Sequence, residues 1–226
     1  MTGDAGNLTR RSVLAGAGAA AAVGVATAVS SAADAATGGV AVGPDDATVA
    51  EFRGRIAQSG GSGQNFEATG FLTKLRGARQ ADLFEGAPPA VGTALFTLYA
   101  TGKLSNRVLD MSVHALDITG KLTVYQRHVP GAHFRAPASF QRGRAVASFA
   151  LVLQDVLTVF APASGIPTLT GDTRQTASAT LSAGLAGKSF GALHQRLRMF
   201  ATGLGMLTDP VTLNANLEIA GNWTAS

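Results

Sequence analysis

The end of the chain alternates between apolar and polar residues over a long stretch. Between positions 211 and 223 most apolar side chains occupy odd-numbered positions and the polar ones occupy even-numbered positions. The apolar set is Val211, Leu213, Ala215, Leu217, Ile219 and Trp223, and the polar set is Thr212, Asn214, Asn216, Glu218 and Asn222. A period of two is typical of an antiparallel strand with one buried face. This segment therefore predicts β structure at the C-terminus.

The composition extends this prediction to the whole domain. Lysine occurs only at positions 74, 103, 121 and 188, and glutamate only at positions 51, 67, 85 and 218. Exposed helix faces usually contain many of both residues, so their scarcity argues against a mainly helical fold. Thr, Val, Ser, Ala and Gly dominate instead, which is typical of strands and turns.

Further strands are predicted along the chain. They are Phe66–Leu75 as the opening strand, Leu95–Thr101, Leu109–Leu116, Leu122–Arg127, Thr176–Leu185 and Leu193–Phe200. A hairpin connection is expected at Asp117–Lys121, with Gly120 at a turn position. The apolar positions of Phe149–Phe160 also fit a helix, but its β-branched residues favour a strand.

About eight long sequential strands predict an all-β fold. An up-and-down antiparallel barrel leaves no unpaired edges and is the predicted architecture, with a two-sheet β-sandwich as the alternative. An eight-stranded barrel can be filled by side chains or can hold one small ligand. The predicted architecture is similar to lipocalins and to dirigent and allene-oxide-cyclase barrels. The early Gly-x-Trp signature of lipocalins is missing, and no catalytic residue of the other two families can be transferred.

The N-terminal residues contain the features of an export signal peptide. Arg10 and Arg11 precede a weakly apolar run, Leu14–Val29, and Ala33-Asp34-Ala35 offers a small-x-small cleavage site. This pattern resembles a twin-arginine (Tat) export signal, with a Sec signal and a retained anchor as alternatives. The resemblance implies the Tat translocase as a partner, cleavage after Ala35, and a secreted, periplasmic or cell-wall-associated product without a stable membrane anchor.

The domain organisation follows from that signal. Residues 1–35 are the predicted signal peptide, 36–65 a flexible mature N-terminus and linker, and 66–226 the barrel domain. The chain contains no cysteine. Disulfides, a lipobox and thiolate metal sites are therefore excluded. We expect no cofactor and no metal, since His128 and His133 have no nearby carboxylate.

The charge is unevenly distributed. The net charge is +4, yet no acidic residue occurs between Asp117 and Asp155 or between Asp172 and Asp209. A basic face of this kind suits an anionic polymer, a lipid headgroup or a ligand carboxylate. Nucleic acid is not an expected partner of an exported protein.

Candidate functional residues fall into two sets. Asp155 lies inside a strongly apolar run and is the best candidate for a functional acid, with His114 as a second catalytic candidate. Asp110, Ser112 and His114 could share one face of a strand, but Asp110 and His114 would then be roughly 13 Å apart, too far for a catalytic triad. The residues expected to bind an amphipathic ligand at a barrel mouth are Arg127, Phe134, Arg135, Arg142 and Arg144.

Three functions fit these features. The first is an exported barrel that binds a hydrophobic or amphipathic small molecule. The second is a barrel isomerase or cyclase acting on a small apolar substrate. The third is a cell-envelope interaction protein that uses its basic surface.

Overall fold

A computed structural model describes residues 48–61, 64–209 and 211–225. The predicted signal peptide and its cleavage site lie outside these residues. Eight strands make up most of the described chain: β1 (Thr48–Ser59), β2 (Asn65–Leu75), β3 (Phe96–Asp110), β4 (Val113–Gln126), β5 (Arg144–Ala161), β6 (Ser164–Ser178), β7 (Arg196–Asp209) and β8 (Asn214–Ala225). The helical segments are α1 (Gln80–Leu83) and the 3₁₀ turns Val91–Thr93, Pro137–Gln141 and Ala183–Leu185. No helix in these ranges is long and apolar enough to cross a membrane.

The strands form a closed antiparallel barrel. Each strand pairs with the next in sequence, and β8 pairs with β1 to close the sheet. The prediction of an eight-stranded up-and-down barrel is therefore confirmed, and the sandwich alternative is not. The ambiguous segment Phe149–Phe160 lies inside β5, in agreement with its β-branched residues.

Several predicted boundaries need correction. The barrel begins at Thr48 and not at Phe66, because β1 lies within the segment predicted to be a flexible linker. Asp117–Lys121 is the interior of β4 and not a turn. The turn that joins β3 to β4 is instead Met111–Ser112, with Asp110 opposite Val113. β8 begins at Asn214, so the C-terminal alternation holds from Ala215 onward but not at Val211 and Leu213.

One end of the barrel is plugged. The long connections between β2 and β3, β4 and β5, and β6 and β7 all leave from this end. Phe190, from the β6–β7 connection, lies 6.3 Å from the Trp223 ring and 6.1 Å from the Phe149 ring, centroid to centroid. Two buried glutamines hold this connection in place. The Gln175 amide donates to the Phe190 carbonyl at 2.6 Å, and Gln126 bonds to Ser182.

The other end is called the open end here. It carries the short connections that join β1 to β2, β3 to β4, β5 to β6, and β7 to β8. Large exposed apolar side chains gather on and near these hairpins: Val108, Leu109, Met111, Val113, Phe160, Ile166, Leu204, Met206 and Val211. The barrel interior therefore ends in an aromatic plug on one side and in an apolar rim on the other.

Paired glycines let neighbouring strands approach closely. Gly54 of β1 lies opposite Gly70 of β2, both facing the interior. A Cβ on Gly54 would lie 2.6 Å from the Thr69 carbonyl oxygen and 3.3 Å from the Gly70 Cα. Glycines at such positions allow the strong strand bending that a small closed barrel requires.

We predict that Gly54→Ala destabilises the fold by roughly 1–3 kcal/mol, because its methyl group must displace backbone atoms. The free energy of unfolding from urea denaturation measures this. Gly92→Ala is the matched control, since a Cβ at Gly92 meets no atom within 4 Å. Equal stability of the two variants would contradict the close-approach role of Gly54.

Candidate functional site

The interior holds a cavity at the open end. Its volume is about 160 Å³. Most of its wall is apolar, with Leu109, Leu116, Leu157, Val159 and Leu217 among the lining residues. The polar lining residues are Gln58, Arg107, His114, Asp155 and Ser164. Both catalytic candidates from the sequence therefore face the same cavity.

Asp155 is the most unusual polar group of this cavity. It faces the interior from β5, between Leu116 of β4 and Leu169 of β6. The residue is only 4% exposed, and its Oδ1 atom has no hydrogen-bond partner. Burial raises the pKa of Asp155 to about 7, while a hydrogen bond from the Thr168 backbone acts in the opposite direction. With this pKa, both the neutral and the charged form of the carboxyl are populated near neutral pH.

His114 is a diagonal neighbour of Asp155. His114 pairs with Leu157, two residues along β5 from Asp155, and both side chains point inward. Diagonal neighbours across a ladder have Cα atoms about 7–8 Å apart, within reach of long side chains. The suggested row of Asp110, Ser112 and His114 does not exist, since Ser112 belongs to the hairpin turn.

Arg107 was missed by the sequence-based reasoning. The pairing of β3 with β4 shifts between Leu104 and Asn106, which is a β-bulge. The bulge changes which residues face inward, so that Arg107 and Leu109 line the cavity. Burial lowers the pKa of the Arg107 guanidinium. A bulge leaves no clear sequence signal, so alternation alone assigns Arg107 to the wrong face.

A second void lies deeper in the barrel. Its volume is about 70 Å³, and its lining is almost wholly apolar, including Leu153, Leu169, Met199 and Ile219. Leu169 is the cross-strand partner of Asp155. Asp155 therefore stands at the boundary between the open-end cavity and this deeper apolar space.

The predicted ligand-binding segment lies elsewhere. The β4–β5 connection starts at the plugged end and packs on the outer face of β2 and β3, where the Thr97 hydroxyl donates to the Phe140 carbonyl at 2.7 Å. Phe134 contacts Phe71, and the Arg55 guanidinium lies 4.7 Å from the Phe134 ring centroid. The placement of this segment at the cavity mouth is therefore corrected.

The arginines of that segment have separate positions. Arg127 is buried and donates to the carbonyls of Ser139 at 2.7 Å and Val129 at 3.1 Å, so it holds the connection together. Burial, and then the nearby charge of Arg142, lowers the pKa of Arg127. Arg135 and Arg142 are exposed, and Arg144 donates to the Thr180 carbonyl. None of these four arginines lines the open-end cavity.

The histidines of the β4–β5 connection do not form part of a ligand cluster. His128 and His133 are both exposed, and the His133 Nδ1 atom accepts the Arg135 backbone N–H at 3.0 Å. Within the described ranges, no group of three or more His, Asp or Glu side chains is placed to hold a metal ion.

Comparison with known proteins adds no relatives. No known protein family's sequence profile matches the chain, and neither curated proteins nor solved structures gave a significant match. The class of protein is therefore defined by geometry alone: a closed eight-stranded antiparallel barrel, plugged at one end, with an apolar cavity and a buried carboxyl at the other.

The pKa of Asp155 predicts a pH-dependent stability. The folded pKa of about 7 exceeds the unfolded value of about 3.9, so the folded state binds the proton more tightly. The resulting stabilisation is complete below pH ~4 and is lost as the pH rises to ~7. It amounts to at most a few kcal/mol, since one pKa unit corresponds to about 1.4 kcal/mol.

Thermal unfolding between pH 4 and 8 measures this effect. We expect Asp155→Asn to remove this part of the pH dependence and to be more stable than the wild type at pH 8. Asp172→Asn, which changes an exposed carboxylate on the outer face, is the control and should keep the wild-type profile. An unchanged profile for Asp155→Asn would contradict the buried, raised-pKa carboxyl.

Proposed function

We propose that this protein is an exported barrel that binds a small, mainly apolar molecule carrying one polar group in its open-end cavity. The observation that carries the proposal is the buried Asp155 carboxyl, with an unpartnered Oδ1 atom, in the wall of a mainly apolar cavity. Convergence of a few polar groups in an apolar pocket is the usual form of a small-molecule site.

The size of the cavity limits the ligand. An apolar protein cavity of about 150 Å³ accommodates a molecule of the size of benzene. The open-end cavity, at about 160 Å³, supports a ligand whose buried part is a single ring or a short branched chain. The apolar rim around the opening would extend the apolar surface available to a longer molecule.

Asp155 supports a polar contact at a defined place. An unpaired buried polar atom costs about 1–3 kcal/mol. A hydroxyl or amine of the ligand that donates to the Asp155 Oδ1 atom would offset this cost. The ligand would therefore place one donor against β5 and its apolar part against the leucines of the wall.

Filling the cavity tests the proposal. Gly205 lines the cavity, and a Cβ there meets its nearest atom, the Gly165 carbonyl oxygen, at 3.5 Å. We therefore expect Gly205→Leu to fold and to occupy the ligand volume. Titration with toluene and benzyl alcohol, followed by ligand-observed NMR, should show binding to the wild type and at least about tenfold weaker binding to the variant.

Thr170→Leu is the matched control, because it adds a leucine on the exposed outer face of β6. It should bind both probes as the wild type does. Asp155→Leu should lose the preference for benzyl alcohol over toluene. Failure of the wild type to bind either probe, or equal binding by Gly205→Leu, would remove the support for this site.

Export is part of the proposal and rests on Arg10, Arg11 and the Ala33-Asp34-Ala35 site. In a Tat-competent bacterial host, we expect the exported protein to have a mass that corresponds to a start at Ala36. Arg10→Lys combined with Arg11→Lys should keep the protein in the cytoplasm, because the signal depends on the arginine pair. A full-length mass in the exported fraction would contradict the cleaved signal.

A barrel isomerase or cyclase is the second candidate function. It is favoured by the position of His114 beside Asp155 in one cavity, and by a carboxyl whose pKa of about 7 suits proton transfer at neutral pH. In that case Asp155 would exchange a proton with the substrate, and His114 would be the second acid–base group. Chemical conversion of a captured ligand would favour this candidate over simple binding.

A further inference from the structure

A row of basic side chains crosses the outer face of four strands. Lys121 of β4 pairs with Ala150 of β5, Ala150 with Arg174 of β6, and Arg174 with Arg196 of β7. Lys121, Arg174 and Arg196 are all exposed. We define these three cations as the basic row. Because adjacent strands lie about 4.8 Å apart, the row spans roughly 14 Å around the barrel.

The pairing of Arg174 with Arg196 works against stability. The two residues are directly opposite each other in an antiparallel ladder. Like charges in that position destabilise a sheet. No acidic side chain belongs to the row itself. A bound anion between the two guanidinium groups would convert this repulsion into two favourable contacts.

The neighbouring charges do not neutralise the row. Asp172 is the nearest acidic residue along β6, but it faces Arg198, with an N–O distance of 3.6 Å. Both side chains of that pair are mostly exposed, at 69% and 74%, so the pair contributes little. Arg198 adds a fourth cation beside the row, which leaves this side of the barrel strongly positive.

Hydroxyl groups border the row toward the plugged end. Thr123 and Ser148 lie next to each other on β4 and β5, with their oxygens 3.3 Å apart. Thr176 follows on β6, and its hydroxyl donates to the Ser148 carbonyl at 3.1 Å. The Thr176 hydroxyl hydrogen is therefore already used, and the donors that the row offers to phosphate oxygens are its guanidinium and ammonium groups.

We propose that the basic row binds a flexible polyanion with repeated phosphate groups. The row runs around a convex barrel wall, so a flat surface would touch only its crest, whereas a flexible chain can follow the curvature. Arg174 and Arg196 hold one phosphate between them, and Lys121 contacts a neighbouring phosphate. This interaction is independent of the open-end cavity, because the row lies on the outer face of the barrel and the cavity lies inside it.

Binding of long-chain inorganic polyphosphate, measured by calorimetry at several salt concentrations, tests the proposal. We expect Arg174→Gln combined with Arg196→Gln to weaken binding about tenfold or more and to reduce the slope of log K against log salt by roughly one to two. This double variant should unfold at the same temperature as the wild type or higher, because a like-charge pair is removed.

Arg135→Gln combined with Arg142→Gln is the matched control. It removes two exposed arginines and changes the net charge equally, but it leaves the row intact. The control should lose less than about twofold in affinity. Equal losses in the two double variants would show attraction by net charge alone and would overturn the proposal. Absence of wild-type binding at low salt would overturn it as well, as would binding to phosphatidylglycerol vesicles but not to polyphosphate.

Discussion

Closure of the sheet by the pairing of β8 with β1 is the constraint on which the rest of the structure depends. Once the last strand pairs with the first, every strand has one face in a common interior and one face outside the barrel. The interior of a barrel with eight strands is just wide enough to be filled by side chains. Wherever small or polar residues replace large apolar ones, space or an unsatisfied group must therefore result. The open-end cavity and Asp155 are both consequences of this geometry.

The two ends of the barrel interior are covered to different extents. At the plugged end, the long β6–β7 connection places Phe190 against Trp223, and buried glutamines bond to the backbone of this connection. At the open end the connections are too short to cover the interior. Two of its hairpins place a large apolar residue in the left-handed region, Met111 with φ 45° and Leu213 with φ 56°. A residue other than glycine is destabilised by about 1–2 kcal/mol in that conformation. Met111 and Leu213 add apolar surface at the cavity end.

The functional features divide between the inside and the outside of one sheet. On β6, Leu169 and Thr173 face the interior, while Asp172 and Arg174 face solvent. A single strand thus contributes to the deeper void and to the basic row. The apolar interior suits a neutral or weakly polar small molecule, whereas the convex exterior suits a charged chain. Because no family matches the chain, the geometry of the cavity and of the basic row is the basis for inferring function.

Much of the fold was predictable from residue patterns, because alternation reflects a physical property of strands that needs no knowledge of partners. The strand composition and the eight-stranded barrel followed in this way, and Asp155 was noticeable as an acid inside an apolar run. The first strand was missed, since Thr48–Ser59 lies next to a glycine-rich loop, and the β3–β4 turn was misplaced, since Met111 and Ser112 have no turn signature. The placement of Arg127–Arg144 at the cavity mouth was wrong because a loop's sequence does not indicate which surface it packs against.

The sequence by itself determined the secondary structure class, the alternating faces, the antiparallel arrangement of sequential strands and the acid-free stretches, whereas the choice of a closed barrel over a sandwich came from the tertiary structure. These depend on local periodicity and on the need to bury apolar faces and pair strand edges. Only the tertiary structure decided that Asp155, His114 and Arg107 share one cavity, and that Lys121, Arg174 and Arg196 form one row. The physical reason is register. The alignment of each strand with its neighbour sets which residues lie side by side, and the bulge between Leu104 and Asn106 turns Arg107 inward.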